Sequence, residues 1–203
     1  MSSTTTSEAF DAAYFKRFYG SRATRVYGKE QVSHLARGVT EMIAWLGGEL
    51  RTVLDVGAGA GLWKQWFARH KPHVRYRSTD VSAYACERYG HEHRDLATWR
   101  PTARARDKFD LVVCQGVLPY LDDRACKRAI ATLGTVTRGF LYLEAITARD
   151  LDELCDRTKT DVTVHPRSGA FYRRELAKHF VTLGCGLHYS KSGPLGFYEL
   201  EQR

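Results

Sequence analysis

Hydrophobic positions along the chain follow two alternating rhythms. Arg51 to Val56, Val74 to Thr79, Phe109 to Cys114 and Phe140 to Ala145 are short runs rich in β-branched, aromatic or aliphatic residues that read as strands, the first and third of them buried, and Glu92 to Arg94 reads as a shorter one. Gly61 to His70, Ser82 to Tyr89 and Asp122 to Val136 separate them with helical spacing, the last opened by an Asp cap. The resulting order, β-α-β-α-β-β-α-β, predicts a parallel sheet covered on both faces. Upstream, Ala9 to Tyr19 spaces Phe10, Tyr14, Phe15 and Phe18 for one helix. Glu30 to Leu46 spaces Val32, Leu35, Val39, Met42, Ile43 and Leu46 for a second. Downstream, Phe171 to Phe180 reads as a helix, and Gly186 to Tyr189 with Gly196 to Glu201 as a hairpin turned at Ser192-Gly193-Pro194. The expectation is an α/β fold: a doubly wound, mostly parallel seven-stranded sheet with a C-terminal antiparallel β-hairpin and N-terminal capping helices.

The 203 residues suit one such domain, residues 1–203, with a tail over 1–8, N-terminal helices over 9–47, a core over 51–145 and a substrate loop, helix and hairpin over 146–203. Hydrophobic residues at 43% and charged residues at 27% exclude a disordered chain and a collagen-like repeat. Apolar runs are too short to span a bilayer, and MSSTTTSEAF lacks the basic start and apolar core of a signal peptide, so a cytoplasmic location is expected. The five cysteines form no CxxC pair and fit reduced thiols; no metal is expected on them. His91-Glu92-His93 lacks a metal-ligand spacing and reads as a solvated turn. A formal net charge of +8 permits nucleic acid or acidic partners, but the basic residues occur in small groups, such as Arg104, Arg106 and Lys108, or Arg167, Arg173, Arg174 and Lys178, without a stacking platform. These read as solvated faces; a nucleic-acid partner is not favoured.

The chemistry concentrates in Val53-Leu54-Asp55-Val56-Gly57-Ala58-Gly59-Ala60-Gly61, where a buried strand runs into a glycine turn and a helix. Glycines permit positive φ and remove Cβ atoms, so backbone amides at a helix start can approach a ligand closely. A dinucleotide loop, GxGxxG, would require glycine at position 62, where this chain has Leu62. Asp80, ending the second strand, is placed to accept hydrogen bonds from two ribose hydroxyls.

Asp55 ahead of GxGxG, followed by Asp80, resembles motif I and the ribose acid of the class I S-adenosylmethionine (SAM)-dependent methyltransferases. The resemblance covers about Leu54 to Ala145 and implies a Rossmann-like fold with SAM as cofactor and S-adenosylhomocysteine (SAH) as product. It implies a cofactor site of Asp55, Gly57, Ala58, Gly59 and Gly61, then Asp80 and Val81, with Asp95 and Leu96 near the adenine and Gln115 and Gly116 at the fourth strand's end. Asp95 has the alternative of an ordinary turn residue. Asp110, at the opposite end of its strand, reads as structural. Tyr14, Tyr19, Arg22 and Arg25 lie where the N-terminal segment would cross the cofactor mouth. All four are candidates to contact the methionine carboxylate or a substrate acid, Tyr19 and Arg25 foremost, with a solvated basic loop as the alternative.

Cys114-Gln115-Gly116-Val117 lacks the Asn or Asp with Pro-Pro-aromatic of base-amino enzymes, and Val113 stands where a cytosine-C5 enzyme would have Pro before its Cys. No carboxylate stands there to bind a divalent metal. The resemblance therefore implies a metal-independent enzyme acting on a small-molecule acceptor at O, N, S or C. RNA or protein methylation, and a non-catalytic SAM-binding regulator, remain the alternatives. If a base is used, His165 and Tyr172, after the fifth strand, are the candidates.

Overall fold

The structure is a computed structural model and describes residues 9–21, 23–25, 27–102, 104 and 107–196. Among the described residues, seven strands form one sheet: β1 (Thr52–Val56), β2 (Arg75–Asp80), β3 (Glu92–His93), β4 (Phe109–Gln115), β5 (Thr137–Glu144), β6 (Phe180–Gly184) and β7 (Leu187–Ser190). Their spatial order is β3-β2-β1-β4-β5-β7-β6. The first five are mutually parallel, with Val56 facing Thr79 and Cys114. Strand β7 then runs antiparallel between β5 and β6.

Strand β4 shows why this sheet needs two helical layers. Leu111 and Val113 point to one face and Val112 and Cys114 to the other, and all four are fully buried. A residue period of two puts apolar surface on both faces, each buried side chain contributing about 1.5 to 3 kcal/mol relative to exposure. One face packs on α2 (Lys29–Trp45) and α3 (Leu62–His70) through Ile43, Trp63, Trp66 and Phe67. The other packs on α5 (Asp123–Val136) and α7 (Gly169–Leu176) through Ile130, Leu133 and Leu176. Asp122 caps α5, accepting the Ala125 amide at 2.7 Å. Helices α4 (Ala83–Tyr89) and α6 (Ala148–Glu153) complete the connections.

Two readings change. The N-terminal helix is not one α-helix over 9–19: α1 covers Ala12–Phe15, and a π-helical turn, Lys16–Gly20, follows it. The wider turn lets Phe15 and Phe18 both bury while Tyr19 faces the sheet. The hairpin turns earlier than Ser192-Gly193-Pro194. It turns at Cys185-Gly186, with positive φ at Gly184, Cys185 and Gly186, so Gly186 to Tyr189 belongs to the second strand and Phe180 opens the first. The expected strand at Gly196 to Glu201 falls, apart from Gly196, outside the described residues, as do the tail, Arg22 and Arg106.

Candidate functional site

Parallel strands deliver their loops to one edge, and at the carboxyl ends of β1, β2, β4 and β5 those loops enclose a cleft. Gly57, Gly59 and Gly61 all have positive φ, at 65°, 55° and 68°. The turn closes on itself through Gly61 N–H to Ala58 O (2.9 Å) and is tied to β2 through Ala58 N–H to Thr79 O (3.0 Å). Gly57 is required twice over, because a Cβ there would stand 2.3 Å from Val117 Cγ2.

Asp80 sits across from this turn. Its Oδ2 accepts the Gly59 amide and its Oδ1 the Ser82 amide, each at 2.8 Å. Asp55 is buried under the turn, with Oδ2 accepting the Tyr76 hydroxyl at 2.6 Å. Burial pushes its carboxyl up to about 7, against the lowering effect of Tyr76, with the Asp80 charge adding to the rise. His91 braces the turn from behind, its Nδ1 2.8 Å from Ser78 Oγ and its Nε2 3.1 Å from Gly59 O. It is buried, and burial lowers its pKa. That corrects the solvated-turn reading for His91; Glu92, paired with Arg77, and His93 are exposed.

The sequence-selected residues divide by place. Asp55, Gly57, Ala58, Asp80 and Val81 line the cleft on the β1–β2 side, Asp95 and Leu96 beyond them, and Gln115 and Gly116 on the β4 side. Gly59 and Gly61 complete the turn rather than the lining. Asp95 behaves as a turn residue, its oxygens accepting from Ala97 N–H (2.8 Å) and Thr98 Oγ1 (3.1 Å). Tyr19 closes over the turn, its hydroxyl 3.3 Å from where a Gly59 Cβ would lie. Arg25 does not reach the cleft; its guanidinium lies against Gly28 at the start of α2. His165 is exposed and fixed through its backbone, donating to Pro119 O, while Tyr172 is packed in the α5–α7 core; neither lines the cleft. Asp110 lies at the far end of β4, where it accepts from Arg51 and Thr52 amides and pairs with Arg138.

One cleft residue, Glu144, had no sequence signal of its own. Glu144, last in β5, accepts from Tyr27 Oη at Oε1, and from Gln115 Nε2 (3.2 Å) and Tyr142 Oη (3.3 Å) at Oε2. Gln115 is oriented in turn by Trp63 Nε1, 2.8 Å from its Oε1. Phe10, Tyr14 and Tyr120 form an aromatic wall, with ring centroids 4.9 and 5.0 Å apart from Phe10 to its two neighbours and the two hydroxyls 2.8 Å apart. Burial raises Tyr14 to about 12. Arg167, expected on a solvated face, is instead buried and holds the Leu118–Tyr120 turn through Leu118 O (3.2 Å), Leu121 O and Asp123 (2.7 Å).

A glycine turn after β1, an acid ending β2 and a sheet closed by an antiparallel β7 together define the arrangement of class I SAM-dependent methyltransferases. Residues 54–138 match a family described as a methyltransferase domain. Among solved structures it resembles a SAM-dependent methyltransferase from Clostridium acetobutylicum (TM-score 0.60, 13% identity, 90% of this chain and 96% of that one). It also resembles the plantazolicin methyltransferase BpumL in complex with SAH (TM-score 0.61, 9% identity, 86% and 72%). A third is magnesium protoporphyrin IX methyltransferase from Synechocystis with bound SAH (TM-score 0.52, 19% identity, 86% and 87%). No curated protein matches the chain significantly. Among the described residues, no helix is long and apolar enough to cross a membrane, and no group of three or more His, Cys, Asp or Glu could hold a metal ion.

Proposed function

We propose that this protein transfers a methyl group from SAM to a small-molecule acceptor without a metal, leaving SAH, and that it works in the cytosol with its five cysteines unpaired. The observation that carries this reading is the convergence of the glycine turn, Asp80 and the Gln115-Gly116 wall on one cleft. The residues fit the cofactor. Each Asp80 oxygen takes one backbone amide, which fixes the carboxylate and leaves lone pairs for ribose hydroxyls. Val81 and Leu96 offer apolar flanks for a planar base. The glycines keep Cβ atoms out of the cradle. When bound, SAM supplies a methyl group already activated by its sulfonium charge.

The chain's own contribution is then placement and exclusion of water. Phe10, Tyr14, Tyr19 and Tyr120 cover the cleft from the N-terminal segment and the β4 turn, and Trp63 holds Gln115 in one orientation. Alignment of this kind supplies several kcal/mol of acceleration without a dedicated base. The +8 charge is the argument for RNA, but the charged groups lining the cleft are mainly acidic, which favours a small molecule over a polyphosphate backbone. Incubation with methyl-labelled SAM and separated cell fractions tests this: label should enter low-molecular-weight compounds. Label confined to RNA or protein would replace the small-molecule acceptor.

A further inference from the structure

The cleft's charge runs against that of the chain. Although the chain carries +8, its lining holds Asp55, Asp80, Asp95, Glu144 and Asp161 against Arg94 among the described residues. Arg94 follows β3, lies over Trp99 at 4.7 Å and bonds to Glu92. Four strand spacings, roughly 19 Å, separate β3 from β5 in this sheet order. The end of the cleft formed by Glu144, Tyr27 and the β5 loop therefore has no nearby cation from that residue to balance an anionic ligand.

Glu144 also has capacity to spare. A carboxylate offers about four acceptor sites. Three are occupied: Tyr27 at Oε1, with Gln115 and Tyr142 both at Oε2. The remaining capacity is on Oε1, on the side where Tyr27 from the covering segment now stands. A phenolic O–H already demonstrates the kind of group this oxygen takes. Elsewhere in the same cleft, Phe10, Tyr14 and Tyr120 present aromatic surface suited to a ring or an organic cation.

Building on the SAM-dependent reading, we propose that Glu144 is the residue that selects the acceptor: it receives the O–H or N–H of a neutral or cationic aromatic compound and turns anionic acceptors away. Gln115 and Tyr142 hold its Oε2 and thereby present Oε1. The selection follows from charge, because a carboxylate or phosphate brought beside Glu144 meets a like charge in a partly desolvated cleft.

The full chain, saturated with SAH, is titrated calorimetrically with benzylamine, which is cationic at neutral pH, and with benzoate. Benzylamine should bind at least tenfold more tightly than benzoate. Glu144→Gln should abolish that preference while leaving SAH affinity within about twofold. Tyr27→Phe, which removes one donor and keeps the carboxylate, should retain the preference, so a general disturbance of the covering segment is separated from loss of the charge. Equal binding of benzoate, or a preference that survives Glu144→Gln, overturns the proposal. Loss of SAH affinity in Glu144→Gln also overturns it, by assigning the residue to the cofactor. A wild-type protein that takes no SAH fails earlier and removes the SAM-dependent reading itself.

Discussion

The carboxylate of Asp80 accepts the backbone amide of Gly59 at 2.8 Å, joining the acid at the end of β2 to the glycine turn that follows β1. The two elements most diagnostic in the sequence are thus one physical unit. With Asp80 proposed as the ribose acceptor, its removal should have two effects, loss of that acceptor and release of the turn, and their sum sets the size of the expected response.

Asp80→Ala should weaken SAM binding by about 2 to 4 kcal/mol, the range for losing hydrogen bonds to a charged acceptor. Asp80→Asn should cost less, since one oxygen remains to accept. Asp110→Asn is the contrast. Its hydrogen bonds to Arg51 and Thr52 and its pairing with Arg138, which hold its carboxyl below the usual range against the effect of burial, lie at the opposite edge of the sheet. That substitution should lower the melting temperature with cofactor affinity unchanged. Calorimetry and thermal unfolding on the three variants give the ordering; greater sensitivity of affinity at Asp110 would break it.

Gly57→Ala should be destabilising for a reason independent of any ligand. Its φ of 65° costs an L-residue about 1 to 2 kcal/mol, and the added Cβ meets Val117 Cγ2 at 2.3 Å. Combining it with Val117→Ala should recover the steric part and leave the conformational part. Denaturant unfolding of the single and double variants measures the coupling. Additive penalties would mean that Val117 yields freely.

Asp55 gives the stability a pH signature. Burial raises its folded pKa to about 7, above the ordinary Asp value near 3.9, so the folded protein retains a proton that the unfolded chain has released. This contribution is greatest below pH 4, declines as pH rises through 4 to 7, and is constant above that. Asp55→Asn still offers an oxygen to Tyr76 but has no proton to lose. Its stability relative to wild type should therefore improve between pH 5 and pH 7, with a slope of up to ~1.4 kcal/mol per pH unit. Parallel pH profiles would show Asp55 to be ionised throughout.

What the sequence displayed was local. The strand-turn-helix at Val53 to Gly61, Asp80 and the apolar run of β4 each lie within a few contiguous residues, where period and glycine spacing carry the information. Glu144 could not be singled out that way, because its partner Tyr27 is 117 positions distant and only the fold brings the two together. Arg167 was misread for a related reason. A basic residue beside Ser168 and Gly169 looks solvated until the carbonyls of Leu118 and Leu121 are placed around it. The hairpin slipped because β6, at the sheet edge, is only partly buried, and Cys185 adopts a φ of 48° that composition does not announce.

The central claim is that the glycine turn and Asp80 hold SAM rather than a dinucleotide, and a calorimetric titration with SAH and with NADH tests it most directly. The account predicts saturable binding of one SAH per chain, lost or strongly weakened in Asp80→Ala, and no binding of NADH, because Leu62 stands where the third dinucleotide glycine would be. Binding of NADH without binding of SAH would contradict it.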